Sequence, residues 1–243
     1  MVEMIGRPLK ENPLSYIAHQ IVDLVLETPA LFGPFSEAIR DCIDGNAAKL
    51  DAILDSPVDI PDRRDEVKKL KGLLVSYLND PPPDPSWATN FRRGYIVEEM
   101  IARLGASALG LTSGQQAKVL RRAIARNEGQ RLCGDNDIDV VFTSGKTAEV
   151  IECKARLSTW LSGGGHMRSE ASRKLKYMLC VQACCQKDGG GCRPWLATFQ
   201  LDLFREKEAL ESTGYAIGLI NGEAIREAIV AFAKETGVIP GLS

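Results

Sequence analysis

Apolar positions recur at helical spacing through the first third of the chain. From Pro13 to Leu26 they fall on one stripe, Ile17, Ile21, Leu24 and Val25. Phe35 to Leu54 holds two further helical pieces broken near Gly45, and Asp62 to Leu78 another. Asn79-Asp80-Pro81-Pro82-Pro83-Asp84-Pro85-Ser86 then interrupts the pattern. Prolines this dense fit neither a helix nor a central strand and make a stiff spacer. These patterns predict an N-terminal helical region over residues 1–79, a Pro-rich linker over 80–86 and an α/β domain over 87–243.

Beyond the linker, helical and strand-like runs alternate. Asn90 to Gly105 predicts a helix capped by Asn90 and stopped by Gly105, with Ile96, Val97, Met100, Ile101 and Leu104 as its apolar face. Ser113-Gly114-Gln115-Gln116 has capping-box spacing and predicts a helix through Arg126. On it Lys118, Arg122 and Arg126 would form one basic line that could track a phosphate backbone. Ile138 to Phe142 and Val150 to Ala155 are apolar runs, joined by turn-rich Thr143-Ser144-Gly145-Lys146-Thr147 as a hairpin. Ser169 to Gln182 predicts a helix with Ala171, Leu175, Met178, Leu179 and Gln182 inward. A strand over 193–201, a helix over 205–211, a strand over 214–220 and a helix over 222–237 complete the chain. The order predicts an α/β fold of three layers around a mixed central sheet.

Hydrophobic residues make up 44% and charged residues 26%, an ordinary globular balance with no run long enough to span a membrane and no signal-peptide pattern. A cytoplasmic protein is expected. Seven cysteines without framework spacing suit reduced thiols. Cys180, Cys184, Cys185 and Cys192 cluster in sequence but lack the Cys-x-x-Cys pair of a metal site. The net charge of −2 conceals an asymmetry. Residues 1–79 carry nine Lys/Arg against thirteen Asp/Glu, whereas residues 91–176 carry fifteen against nine. That basic excess suits phosphate contacts, with Arg168, Arg173 and Lys174 adding to the line from Lys118.

The candidate chemistry lies on the expected hairpin. Asp139 begins one strand, and Glu152 and Lys154 share a face of the next, since residues two apart on a strand project together. A buried carboxylate and ammonium are costly unless paired or bound to metal. Two carboxylates and a lysine suit Mg²⁺ held by oxygen ligands beside an attacking water. Asp137 shares the face of Asp139 and is an alternative ligand, although Asp139 stands closer to the apolar strand. Glu149 faces the other way and begins its strand.

This set resembles the PD-(D/E)xK nuclease superfamily, with Asp139 as the acid, Glu152-Cys153-Lys154 as the Glu-x-Lys, and Ile138 where the signature has proline. The resemblance spans residues 90–220 and singles out no member family. It implies a restriction-endonuclease-like core and Mg²⁺-dependent hydrolysis of DNA, with Mn²⁺ able to substitute. Asp139 and Glu152 would hold the ion and Lys154 would position water and offset charge. The superfamily often draws an extra acid from a preceding helix, where Glu98 stands between Gly94 and Ala102. It also draws a Gln or Lys from the following helix, which implies Gln182, with Lys174 in reserve. Cleavage of RNA on the same scaffold and a non-catalytic relic core are the alternatives, and a homodimer is expected if two strands are cut.

Overall fold

The computed structural model describes residues 2–7, 12–42, 46–54, 64–81, 88–114, 116–132, 134, 136–163 and 166–237. In chain order the elements are β1 (Val2–Ile5), α1 (Pro13–Glu27), α2 (Phe32–Asp41), α3 (Ala47–Leu54), α4 (Arg64–Asn79) and α5 (Thr89–Ala108). Next come β2 (Lys118–Asn127), β3 (Gln130–Arg131), β4 (Ile138–Ser144), β5 (Thr147–Cys153), α6 (Leu157–Leu161), β6 (Ser162–Gly163) and β7 (His166–Met167). The chain continues through α7 (Ser169–Lys187), β8 (Gly191–Ala197), α8 (Phe204–Glu211), β9 (Gly218–Ile220) and α9 (Gly222–Glu235).

One sheet has the order β1-β2-β4-β5-β8-β9, with β3 paired to β2. β5, β8 and β9 are parallel and the other neighbours antiparallel, so the sheet is mixed. On one face, residues of α1–α5 and α9 share a core with Val140, Phe142, Ile151, Cys153 and Ala197. On the other, α6, α7 and α8 cover Ile138, Val141, Val150 and Leu196. The result is a three-layer α/β architecture. Among the described residues no helix is long and apolar enough to cross a membrane.

Local signals account for much of this. Asn12 caps α1 by accepting from the Ser15 amide, with Pro13 in the first turn. The expected hairpin closes as β4–β5 with Ser144 opposite Thr147, so its loop is two residues, and Gly145 supplies the left-handed φ of 58°.

Several expectations are corrected. The segment read as a helix through Arg126 is β2, a strand with β1 and β4 on either side. Its Leu120 and Ile124 spacing suits a helix, but partner strands bond its backbone, and such pairing overrides a weak local pattern. Residues 2–5, inside the region read as helical, form β1 at the sheet edge. Helix α5 starts at Thr89, before Asn90, and runs past Gly105, whose φ of 74° kinks rather than ends it. Cys180, expected as a free thiol, is held in a disulfide, while Cys184, Cys185 and Cys192 are free. Of the expected linker, residues 82–86 lie outside the described residues.

Two consecutive arginines at the start of α5 fix it against the N-terminal helices. Buried Arg92 donates to the carbonyls of Tyr77 at 2.8 Å, Leu78 at 3.2 Å and Asp80 at 2.7 Å, closing the C-terminus of α4. The Tyr77 hydroxyl returns a bond to the Arg92 carbonyl at 2.7 Å. Arg93 donates to Ile39 O at 2.5 Å and to Arg40 O, closing α2. Helix ends leave carbonyls without partners and favour cations, so both contacts use the physics of helix termini. Part of the basic excess is thereby structural. Arg92→Ala is expected to destabilise the fold by about 3 kcal/mol in urea unfolding, because three carbonyls, two of them buried, lose a charged donor together.

Candidate active site

The sheet is disturbed at one rung, and the candidate residues gather there. Arg121↔Val140 and Ala123↔Ile138 pair across β2 and β4, which places Arg122 opposite Asp139. Arg122 has a φ of 48°, uncommon for a residue with a side chain. Both strands change alternation here. On β2, Leu120, Ala123 and Ala125 all pack on the α7 face; on β4, Ile138 and Val141 do so while Val140 faces α5. A regular strand would hold one parity throughout. On its other side β4 leaves β5 after Val140↔Ile151, and Asp139 Oδ2 accepts the Cys153 amide at 2.9 Å in place of a backbone partner. β5 continues beside β8, with the Lys154 amide donating to Ala197 O at 2.9 Å.

This break lets acids from both layers meet at the sheet end. Glu98 of α5, Asp139 and Glu152 are 0%, 4% and 2% exposed, too buried to be ordinary solvated carboxylates. Each has cationic partners. Lys154 Nζ lies 2.5 Å from Glu152 and 3.9 Å from Asp139. Lys174 of α7 lies 3.0 Å from Glu152 and 3.4 Å from Asp137. Arg122 lies 2.6 Å from Glu98 and 3.4 Å from Asp139, and Arg121 lies 3.1 Å from Glu98 and also pairs with Glu99. Aromatic faces steady three of the cations, Tyr95 beneath Arg121 and Phe91 beneath Arg122, each at 4.9 Å, and Trp160 beneath Lys154 at 5.2 Å.

The carboxyls respond differently. Burial raises Glu98 to about 7, against the pull of Arg122 and Arg121. Burial and then the Asp139 charge raise Glu152, outweighing Lys154 and Lys174. Burial also works against Asp139, but Lys154, Arg122, Lys174 and the Cys153 amide together hold it below the usual carboxylate range. Two close acids thus separate into one ionised and one reluctant member. Burial opposes the charge of Lys154, yet Glu152 and Asp139 outweigh it and raise its pKa, which keeps the ammonium protonated at neutral pH.

The fit to a hard cation is partial. Asp139 and Glu152 are oxygen donors of the kind Mg²⁺ takes. Oε2 of Glu152 and Oε2 of Glu98 are buried and face only an ion-pair partner each, Lys174 at 3.0 Å and Arg122 at 2.6 Å. Among the described residues, however, no three His, Cys, Asp or Glu side chains converge as a preformed cage, at this site or among the C-terminal cysteines.

Asp139, Glu152, Lys154 and Glu98 therefore come together, joined by Lys174. Gln182 does not. It donates to Cys192 O at 3.1 Å, and Cys192 pairs with Ala148, four rungs along β5 from Glu152, about 13 Å at the rise of a strand. The inward Gln has a backbone partner, and Lys174, two turns earlier on α7, takes the expected place. Lys118, Arg122 and Arg126 form no helical line: Lys118 sits opposite Thr143 near the hairpin turn, Arg122 at the acids, and Arg126 opposite Glu3. Arg168 and Arg173 are exposed, Arg168 beside the acids and Arg173 on a separate depression with Lys176 and Cys180. Glu149 does more than begin a strand: fully buried, it accepts from the Thr112 amide and hydroxyl and from Trp195 Nε1 at 2.6 Å. Arg121 had no signal beyond its place in a basic run.

Of the three acids Asp139 reaches a cleft of about 540 Å³, which it lines with Phe91, Arg122, Lys154, Trp160 and Arg168, among others, while Glu98 and Glu152 lie behind it. No protein-family model matches the chain, and no curated protein matches it. Among solved structures it is similar to protein VC1899 from Vibrio cholerae, with a TM-score of 0.48 and 13% identity, over 98% of this chain and 59% of that one. It is also similar to Can2 from Sulfobacillus thermosulfidooxidans in complex with cyclic tetra-adenylate, with a TM-score of 0.41 and 13% identity, over 95% of this chain and 59% of that one. The chain thus spans 59% of the length of each.

Glu98 gives a pH signature. Its carboxyl, near 4.5 when unfolded, is raised to about 7 by burial, so the folded state binds the extra proton between those values. The stability this contributes is full below 4.5 and is lost as pH rises through 7. In urea unfolding with a chelator present, the wild type is expected to lose stability relative to Glu98→Gln as pH rises from 4.5 to 7. A flat difference would mean that the Arg pairs hold Glu98 ionised throughout.

Proposed function

We propose that this chain is a metal-dependent phosphodiesterase that hydrolyses DNA. The observation that carries this reading is the meeting of Asp139, Glu152 and Lys154 at the end of the sheet, on a cleft rimmed by Arg156 and Arg168. A purely structural cluster needs charge balance alone, whereas this one opens on a space large enough for a phosphodiester. The resemblance to PD-(D/E)xK nucleases rests on the same residues.

Asp139 and Glu152 would hold Mg²⁺, which when bound supplies Lewis-acid activation of water and charge at the phosphate. The residues of the chain do the rest. Asp139 is already ionised, held so by Lys154, Arg122 and the Cys153 amide, and offers its oxygens without first losing a proton. Lys154, kept protonated by Glu152 and Asp139, is a poor base and a good donor. It orients the attacking water and offsets the negative charge that accumulates on the phosphate oxygens. Lys174 holds Glu152 from the α7 side, a positioning role. Glu98 stays beside Arg122 and Asp139, where its charge tunes both.

Supercoiled plasmid, linear duplex, single-stranded DNA and RNA, each with Mg²⁺, Mn²⁺ or EDTA, test the reading. Metal-dependent cleavage of DNA is expected, lost with Asp139→Ala. Lys154→Ala is expected to slow it by about 10²-fold or more, and Gln182→Ala to leave it within about twofold. Cleavage of RNA alone would move the substrate class while keeping the site. Absence of both cleavage and metal binding in the folded wild type would overturn the proposal.

A further inference from the structure

We propose that Arg122 binds the substrate phosphate beside the acids, as a catalytic residue additional to Asp139, Glu152 and Lys154. The inference rests on the nuclease reading above but is tested through binding as well as cleavage.

The backbone points to a dedicated role. A left-handed conformation costs a side-chain-bearing residue roughly 1–2 kcal/mol, and glycine would avoid that cost. The chain instead has Arg122 with a φ of 48°, at the rung where the alternation of β2 slips. The consequence is that two successive arginines both reach Glu98, although neighbours on a regular strand face opposite ways.

The two arginines are used differently. Arg121 pairs through Nε and Nη1 with Glu98 and Glu99, lies over the Tyr95 ring and has a buried Nη2 without an acceptor. All its partners are on α5 and it does not line the cleft, so it fastens a helix to the sheet. Arg122 touches Glu98, Asp139 and the face of Phe91, and it lines the cleft with its side chain 20% exposed. Its Nε–H is buried without an acceptor. Arg122 pairs with Glu98 through Nη2 at 2.6 Å, and Arg121 holds the other Glu98 oxygen at 3.1 Å, so Glu98 keeps a cation when a ligand draws on Arg122. A planar guanidinium with a spare donor, held on one face by an aromatic ring, matches the paired oxygens of a phosphate diester. Its Nη1 lies 3.4 Å from Asp139, which puts that phosphate next to the acid that would carry the ion.

The test uses the full chain with fluorescently labelled duplex and single-stranded DNA oligonucleotides. Anisotropy in EDTA reads binding without cleavage, and Mg²⁺ reactions read cleavage. Arg122→Asn removes the charge while keeping a residue that tolerates positive φ. Arg122→Gly is the second variant, free of strain at positive φ, and Lys118→Asn removes a charge from the same strand at its far end. Arg122→Asn is expected to bind roughly tenfold more weakly and to lower the slope of log affinity against log salt by about one, as one lost phosphate contact should. Lys118→Asn should change neither. Guanidinium ion added to Arg122→Gly should restore part of the cleavage, which a merely structural arginine would not permit. Unchanged affinity and salt slope in both Arg122 variants would overturn the proposal, and with wild-type cleavage intact the nuclease reading would stand. Arg122-dependent binding with no cleavage in any metal would overturn the nuclease reading and keep this one. Failure of the wild type to bind any of the oligonucleotides would overturn this proposal outright.

Discussion

Carboxylates buried at the end of a sheet must be neutralised, and much of the centre of this protein follows from that requirement. An unpaired charge at such depth costs several kcal/mol, comparable with the whole stability of a domain. Glu98, Asp139 and Glu152 are met by Arg121, Arg122, Lys154 and Lys174, drawn from two strands and from the helix on the opposite face. No single partner suffices. Asp139 falls below the usual carboxylate range only because three cations and an amide oppose its burial, whereas Glu98 and Glu152, also buried, are raised. The network is therefore fully charged only in part, a state suited to groups that exchange partners when a ligand arrives.

The backbone pays for this arrangement locally. A regular antiparallel ladder would send Arg121 and Arg122 to opposite faces and would give the Cys153 amide a strand carbonyl. Instead β2 turns left-handed at Arg122, β4 slips at Asp139, and the Asp139 carboxylate takes the amide. The distortion coincides with the candidate chemistry, the place where departures from regular structure are most often functional. It also separates β4 from β5 just where Glu152 and Lys154 emerge, so the break in pairing creates the cleft.

The basic charge of the middle of the chain divides between two uses. Arg92 and Arg93 are buried donors to the ends of α4 and α2, and Arg121 fastens α5 to β2. They hold the N-terminal helices and the sheet in one core, which sets the position of Glu98. Arg122, Arg156 and Arg168 line the cleft. A count of charges along the sequence treats these groups alike; the partners each arginine meets in the fold separate them.

The layered α/β class, the β4–β5 hairpin, α7 and the last strands and helix were legible in the sequence, because period, caps and turn residues are local and agree with one another. So was the trio Asp139, Glu152 and Lys154, since side chains two apart on a strand share a face and a two-residue turn fixes the register. The character of 118–127 was not legible. Its spacing satisfies a helix, and only the partner strands on either side make it β2. Gln182 and Lys174 lie on one helix about 12 Å apart by its rise, and no local signal says which end of β5 that helix crosses. The register of β8 against β5 decided it, placing Lys174 on Glu152 and Gln182 on the Cys192 carbonyl. The left-handed Arg122 belongs to the same class. A strained residue is held by its surroundings, so only the assembled acids, with Phe91 beneath the guanidinium, account for its conformation.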